Sequence, residues 1–412
     1  MKIQLVYDSP TRLADSSIRY ERYLRGFRCL GHDASMITTA ASAEGSDWAE
    51  SVPDRGALLD PALWAGIAPD LVLLPTWLGM ADLLAAIRPH ARHVVALADS
   101  DGHVGARAHP RESLARMVAG QPTPAGKLRS SGWWARQYLG LDRSVDRGVV
   151  ESCRLCDRIV VFSPGAGANL SAFLRSAGCD TPDGGIVVAP YPVDEGFESA
   201  PVRIDREDQI LAVGRWEDPQ KGAGLLAAAV RELIRLGQPS RVVIVGSGGV
   251  DRFGPIARAN PGRVEYRGVV APAEVLALMD ESRVLLSTSR WESGPIVAAE
   301  AVLRGCSVAG PRSIPGFRMF AEAGCGSLFA GRSPRSVAEA LRNEANARRD
   351  GWRDPRAIAD AWRGHFTPRD VCERILRSLG PGRGDGAEGP RGGASDRNPA
   401  RPRPIPATVQ HP

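Results

Sequence analysis

Short runs of Val, Ile and Leu recur along this chain, each followed by a longer segment of helical periodicity, and that alternation constrains the fold more than any other feature. Apolar runs of this kind belong to parallel sheets built from strand–helix–strand units, whose strands are covered on both faces. The first series is Lys2–Tyr7, Ala34–Thr38, Leu71–Leu74, Val94–Ala98, Ile159–Phe162 and Ile186–Ala189. After Pro190-Tyr191-Pro192 and the polar stretch Asp194–Asp208 the pattern restarts with Ile210–Val213, Arg241–Val245, Val264–Tyr266, Val284–Ser287 and Ser307–Ala309. The restart predicts two successive doubly wound α/β domains. Between them, Pro190–Asp208 is charged, carries prolines and lacks periodicity, so it reads as a linker.

Composition narrows the class. A net charge of +5 over 412 residues is weak, and the arginines are interspersed with acids, which does not favour nucleic-acid binding. Seven scattered cysteines, an odd number, argue for a reducing compartment and buried thiols. Cys153-x-x-Cys156 has no second pair or nearby histidine to complete a zinc set, so it reads as one packed face of a helix. The N-terminus opens on a strand without an apolar signal core. The longest apolar stretch, Leu71–Ile87, is broken by Pro75, Gly79 and Asp82 and falls short of the ~20 residues of a membrane span. These features predict a cytoplasmic protein, with peripheral contact at the inner face of a membrane left open.

Two segments stand apart from the alternation. Arg107–Val149 interrupts the first series with several Pro and Gly residues and Trp133-Trp134. Such an insertion either carries substrate contacts or packs its tryptophans onto the domain. The basic residues of Arg107–Arg136 form no clean amphipathic stripe. At the other end, Gly380–Pro412 contains seven Gly and seven Pro and reads as a disordered tail.

The most informative motif is Gly214-Arg215-Trp-Glu-Asp-Pro-Gln-Lys221-Gly222, which follows Ile210–Val213 and precedes the helix-like Ala223–Arg235. Glycine lets the chain turn tightly at the strand's carboxyl end, and two cations then lie beside a helix start whose open N–H groups favour an anion. This chemistry suits a diphosphate, though the pattern alone also fits a surface loop. Only three of the 52 basic residues are lysines, a skew of the kind that genome base composition produces, so a lysine inside a motif is informative.

A second motif follows Val284–Ser287, at the strand end where open parallel sheets bind ligands. Glu292 falls on the loop, and Glu300 on the next helix among Ile296, Val297, Ala298, Ala299, Ala301, Val302 and Leu303. A carboxylate in such company costs free energy unless it is paired. It either faces solvent from a polar side of the helix or bridges to Arg304. Val245-Gly246-Ser247-Gly248-Gly249 is close to a dinucleotide fingerprint, but Asp251 takes the last glycine's place and the segment reads as a tight turn.

Taken together, these residues resemble the retaining glycosyltransferases of the GT-B fold, in particular glycosyltransferase family 4. The likeness rests on Gly214-Arg215…Lys221-Gly222, Glu292…Glu300-Ala301 and Gly305-Cys-Ser-Val-Ala309, with Leu30-Gly31-His32-Asp33 and Arg267-Gly268-Val269 in support. It extends to about residue 379. It implies two Rossmann-like domains facing a cleft: 1–195 on the acceptor side, 205–350 for the nucleotide-sugar donor, and a helix within 355–379 crossing back to the first domain. On this resemblance Arg215 and Lys221 neutralise the leaving diphosphate, Glu300 accepts hydrogen bonds from ribose hydroxyls, and Glu292 faces the donor sugar. Gly214, Gly294, Ile296, Val297 and Arg267 complete the donor set. The co-substrate is a nucleotide-diphosphate sugar, no metal or permanent cofactor is expected, and the acceptor is a glycan, a lipid-linked sugar or a small molecule.

The chain also departs from the family pattern. Where many members carry Gly-Gly after the first strand it has Ala14-Asp15-Ser16-Ser17, and where many carry a histidine after the fourth strand it reads Ala98-Asp99-Ser100-Asp101-Gly102-His103. Ser16, Asp99 and His103 are therefore the acceptor-side candidates. Asp99-x-Asp101 also resembles the metal site of the other glycosyltransferase fold, GT-A, which leaves the second domain's motifs without an account. A GT-B-like binding protein and a sugar 2-epimerase-like enzyme on the same fold are the alternative functions.

Overall fold

The computed structural model describes residues 1–8, 17–39, 49–75, 80–98, 101, 110–119, 121–179 and 185–380. Thus Ser16, Asp99, His103 and the tail from residue 381 onward lie outside the described residues.

Seven strands form the first sheet: β1 Lys2–Tyr7, β2 Asp33–Thr38, β3 Ala49–Ser51, β4 Leu71–Pro75, β5 His93–Leu97, β6 Arg158–Val161 and β7 Ile186–Val188. Their order is β3-β2-β1-β4-β5-β6-β7, with every pair parallel. Six more form the second sheet: β8 Gln209–Val213, β9 Arg241–Val245, β10 Val264–Gly268, β11 Val284–Leu286, β12 Ser307–Pro311 and β13 Gly326–Phe329. Their order is β10-β9-β8-β11-β12-β13, again all parallel. In both sheets the first strand sits centrally and the chain then switches sides, which opens a crevice at the strands' carboxyl ends. This is the architecture of GT-B, and its second sheet departs from the GT-A reading of Asp99-x-Asp101.

Each sheet is covered on both faces. Because side chains alternate along a strand, Ile3, Leu5 and Tyr7 pack with Tyr23, Leu24 and Phe27, while Val6 packs on the other side with Trp64, Leu83 and Leu84. In the second domain Leu211, Val243 and Leu285 meet Val302 and Phe317 on one face, and Ile210, Ala212 and Ile244 meet Leu226 and Val230 on the other. Full burial of each Val, Leu, Ile or Phe among them stabilises the fold by about 1.5–3 kcal/mol.

The last helix, Pro368–Ser378, packs on the first-domain helix Ser17–Cys29, and its Val371, Cys372 and Ile375 join the cluster of Tyr23 and Phe27. Contact is close at Gly26, where a β-carbon would lie 2.2 Å from the Pro368 carbonyl oxygen. Arg304, fully buried, ties the linker to the second domain by donating to the carbonyls of Phe197, Ala200 and Pro201.

Within the insertion, helices Pro110–Ala119, Pro124–Tyr138 and Ser144–Leu155 are formed. The two tryptophans behave differently. Trp134 donates to Ser113 Oγ at 2.8 Å and stacks on Tyr138, whereas Trp133 is 39% exposed. Cys153 lies in the last turn of Ser144–Leu155 and Cys156 caps it. Burial pushes the Cys153 thiol up to about 12 and the Cys156 thiol higher still, so both are protonated packing groups.

Two strands have no counterpart in the sequence pattern. β3 is three residues long with no apolar run, and β13, Gly-Ser-Leu-Phe, opens on a glycine, a residue depleted in strands, and has only two apolar side chains in a row.

Candidate active site

The crevice of the second sheet lies between β8 and β11, and the two motifs form its walls. After β8 the chain turns at Gly214, whose N–H donates to the Val245 carbonyl. Trp216 locks the loop from beneath: it is buried edge-on against Phe253, and its indole N–H donates to the same carbonyl at 2.9 Å. Asp218 then caps a short 3-10 turn, Pro219–Lys221, by accepting the Gln220 N–H. Gly222 follows at φ +67, where a β-carbon would fall 2.3 Å from the Thr288 carbonyl oxygen, so the position requires glycine. Helix Ala223–Arg235 starts immediately after.

The other wall comes from β11. Thr288 Oγ1 donates to the Lys221 carbonyl at 2.9 Å, which ties the two loops together, and Arg332, beyond β13, braces the second loop by donating to the carbonyls of Thr288 and Ser289. Glu292, 8% exposed, is the meeting point. Its Oε1 accepts Lys221 Nζ at 2.6 Å and Ser289 Oγ at 2.7 Å, and its Oε2 accepts Gln220 Nε2 at 3.1 Å. Ion pairing plus two neutral donors offsets the cost of burying this carboxylate.

Around this pair opens a cavity of about 800 Å³ whose lining includes Gly214, Arg215, Lys221, Ser247, Val269, Val270, Val275, Gly294, Ile296 and Val297. Arg215 stands at its rim with its side chain 59% exposed, loosely paired with Asp218 at 3.4 Å. Helix Ile296–Leu303 points its amino end into the cavity wall. The Ile296 N–H is taken by the Gly294 carbonyl at 2.8 Å, so of the three main-chain groups expected to cradle phosphate, those of Gly294 and Val297 are left for a ligand. Gly294 is pressed against the first domain: a β-carbon there would lie 2.7 Å from the Tyr191 ring, which stacks on Phe162 at 3.7 Å.

Two residues of the donor set lie elsewhere. Arg267, at the end of β10, pairs with Glu265 at 2.6 Å and Glu274 at 3.1 Å and does not line the cavity. Glu300 is buried and faces neither solvent nor Arg304, which pairs instead with Asp280 at 2.8 Å. Its partner is Arg22 of helix Ser17–Cys29, 3.6 Å away across the domain boundary. Burial pushes the Glu300 carboxyl up to about 7; Arg22 opposes the rise and Asp194 adds to it.

Sequence reasoning passed over Gln220, Ser289 and Arg22, and weighed Asp101 only within the Asp99-x-Asp101 metal reading. Gln220 and Ser289 lie within the motifs and their spacing could have drawn notice. Asp101, whose carboxylate accepts the Glu292 N–H, is 191 residues away from it, and no local pattern joins the two.

Residues 207–345 match the family model described as glycosyl transferases group 1. Among solved structures, the chain is similar to HepE (Alr3699) from Anabaena in complex with UDP, at 15% identity and a TM-score of 0.63, covering 92% of this chain and 99% of that one. It is similar to WaaG, a glycosyltransferase involved in lipopolysaccharide biosynthesis, at 16% identity and TM-score 0.59, covering 90% and 99%. The lipopolysaccharide outer core galactosyltransferase WaaB gives 14% identity and TM-score 0.58, covering 92% and 99%. No curated protein sequence shows a significant match to this chain. The structural likenesses establish the GT-B fold, and with the family match on the second domain they support a glycosyltransferase of GT-B type. Among the described residues no helix is long and apolar enough to cross a membrane, and no group of three or more His, Cys, Asp or Glu side chains is placed to hold a metal ion.

Proposed function

We propose that the protein is a retaining glycosyltransferase of family 4, moving a sugar from a nucleoside-diphosphate donor to a glycan, lipid-linked or small-molecule acceptor. The observation that carries this reading is the Lys221–Glu292 pair, held at 2.6 Å on the wall of the 800 Å³ cavity at the switch point of the second sheet. As the bond between sugar and diphosphate lengthens, negative charge grows on the leaving oxygen. Lys221, Arg215 and the N–H groups of Gly294 and Val297 surround the space in which it would develop, and this preorganised cationic wall can do the neutralising without a metal. In this reading Glu292, on the cavity wall, holds the donor sugar, and Glu300, which pairs with Arg22 outside the cavity lining, is assigned to the ribose by the family resemblance. HepE, of the same fold, is in complex with UDP, which supports a nucleoside diphosphate as a ligand of this protein. Nucleoside-diphosphate sugars screened with and without acceptors test the reading. The expected result is acceptor-dependent product with the donor's anomeric configuration; nucleotide-sugar binding without turnover of any acceptor in the panel would sink it, and an isomerised sugar from donor alone would replace it with the epimerase reading.

The insertion bears on where the acceptor is met. Leu128, Trp133, Tyr138, Leu139 and Leu141 make up five of the eleven exposed large hydrophobic side chains among the described residues, and Lys127, Arg129, Arg136 and Arg143 are exposed beside them. Exposed apolar side chains interspersed in sequence with cations suit an anionic lipid surface. We propose that this part of the insertion contacts the inner face of the membrane. Flotation with vesicles containing anionic lipid is expected to carry the wild type upward, and Leu128→Glu combined with Leu139→Glu to reduce the bound fraction several-fold; equal flotation of both proteins would remove this contact.

A further inference from the structure

Asp101 follows β5 on the cleft side of the first sheet and is 1% exposed. Its main-chain carbonyl accepts Asn169 Nδ2 at 2.9 Å, which fixes it to helix Pro164–Ser176 of the first domain. Its side chain reaches the other way: Oδ2 accepts the backbone N–H of Glu292 at 3.2 Å. The residue proposed to hold the donor sugar is thus gripped from two sides. Lys221, Gln220 and Ser289 of the second domain hold its carboxylate. Asp101 of the first domain holds its main chain.

A buried carboxylate beside another carboxylate-bearing residue costs free energy, and a charge-assisted bond to one N–H repays part of that cost. The same face of the first domain meets the second close by, since a β-carbon on Gly165 would lie 2.9 Å from Pro315. The bond from Asp101 to Glu292 can form only while those faces are together.

We propose that Asp101 is a positioning residue: it anchors the Glu292 main chain from across the cleft, so that the Glu292 carboxylate is correctly placed only when the two domains are closed on each other. This rests on the glycosyltransferase reading, in which Glu292 faces the donor sugar. Because the nucleotide is held by second-domain groups, loss of the anchor lowers turnover and leaves donor binding intact. A position error of an ångström or less suffices for such a loss.

The test has two arms. In the first, kcat and donor KM are measured for Asp101→Ala and Asp101→Asn. The alanine variant is expected to lose about tenfold in kcat with donor KM within twofold of wild type. The asparagine variant, whose amide oxygen still accepts the N–H, is expected to stay within about threefold in kcat. In the second arm, hydrogen exchange of the segment containing the Glu292 amide is followed without substrate. Exchange is expected to speed up several-fold in the alanine variant and to match wild type in the asparagine variant. Unchanged exchange in Asp101→Ala overturns the anchor whatever the enzyme's activity. If the alanine variant does not fold, Asp101→Asn decides alone: near-wild-type kcat and exchange support the anchor, and a loss of tenfold or more overturns it. A wild type that transfers no sugar yet shows the exchange difference keeps the anchor and discards the functional reading, so the two failures are distinguishable.

Discussion

Lys221→Ala is expected to lower kcat/KM for sugar transfer by about 10²–10³-fold, the loss that follows removal of one preorganised group from the site of developing negative charge. Two effects combine. The variant deletes one of the two cations that line the cavity, and it leaves the 8% exposed Glu292 carboxylate with the neutral donors Ser289 and Gln220. Arginine is not expected to restore the activity. Lys221 Nζ reaches Glu292 at 2.6 Å as a compact ammonium with its side chain 20% exposed, and the planar guanidinium fork needs more room and different partners. In a chain where arginine supplies nearly all the positive charge, a lysine at this position is therefore meaningful. Initial rates with a saturating acceptor, together with a thermal melt of each variant, check the prediction. A folded Lys221→Ala protein within fivefold of wild type would remove Lys221 from the proposed machinery.

How much of this was legible in the sequence depends on distance along the chain. Eleven of the thirteen strands could be read because each is an apolar run, and a run such as Arg241–Val245 needs nothing beyond its own residues to announce itself, whereas β3 and β13 carry no such run. Both walls of the cavity were legible for the same reason: Gly214 to Gly222 and Glu292 to Val297 are continuous segments at strand ends. Contacts that join distant segments were not. Nothing near Glu300 names Arg22 as its partner, and the two local options, solvent and Arg304, both gave way because Arg304 is spent on Asp280 and on the linker carbonyls. Arg267, assigned to the donor set by resemblance, shows the converse. A basic residue at the end of a strand suggests a ligand, but Glu265 and Glu274 lie two and seven positions away and take both sides of its guanidinium.

The Arg22–Glu300 pair leads to the second large effect. Glu300→Gln is expected to weaken nucleoside-diphosphate binding about 10–100-fold, the loss that accompanies replacing a charged hydrogen-bond acceptor by a neutral one. The wild-type dependence on pH has a definite sign. With its carboxyl raised to about 7, Glu300 is protonated below that pH and ionised above it, so affinity rises from pH 6 to pH 8. Burial is the main cause of the raised value, Asp194 adds to it, and Arg22, at 3.6 Å, opposes both. Arg22→Ala removes the opposing charge and moves the rise to higher pH. Folding is linked to the same proton in the opposite sense: the folded state holds it more tightly than the unfolded chain, so this group's contribution to stability is complete below the ordinary glutamate range and is lost as the pH climbs through about 7. A ligand phosphate titrates near pH 6 on its own account. Glu300→Gln supplies the reference, because its profile contains the ligand's titration and not the protein's. Calorimetric titration of a nucleoside diphosphate at pH 6, 7 and 8 reads all three proteins, and a wild-type profile parallel to that of Glu300→Gln would show that Glu300 does not meet the ribose.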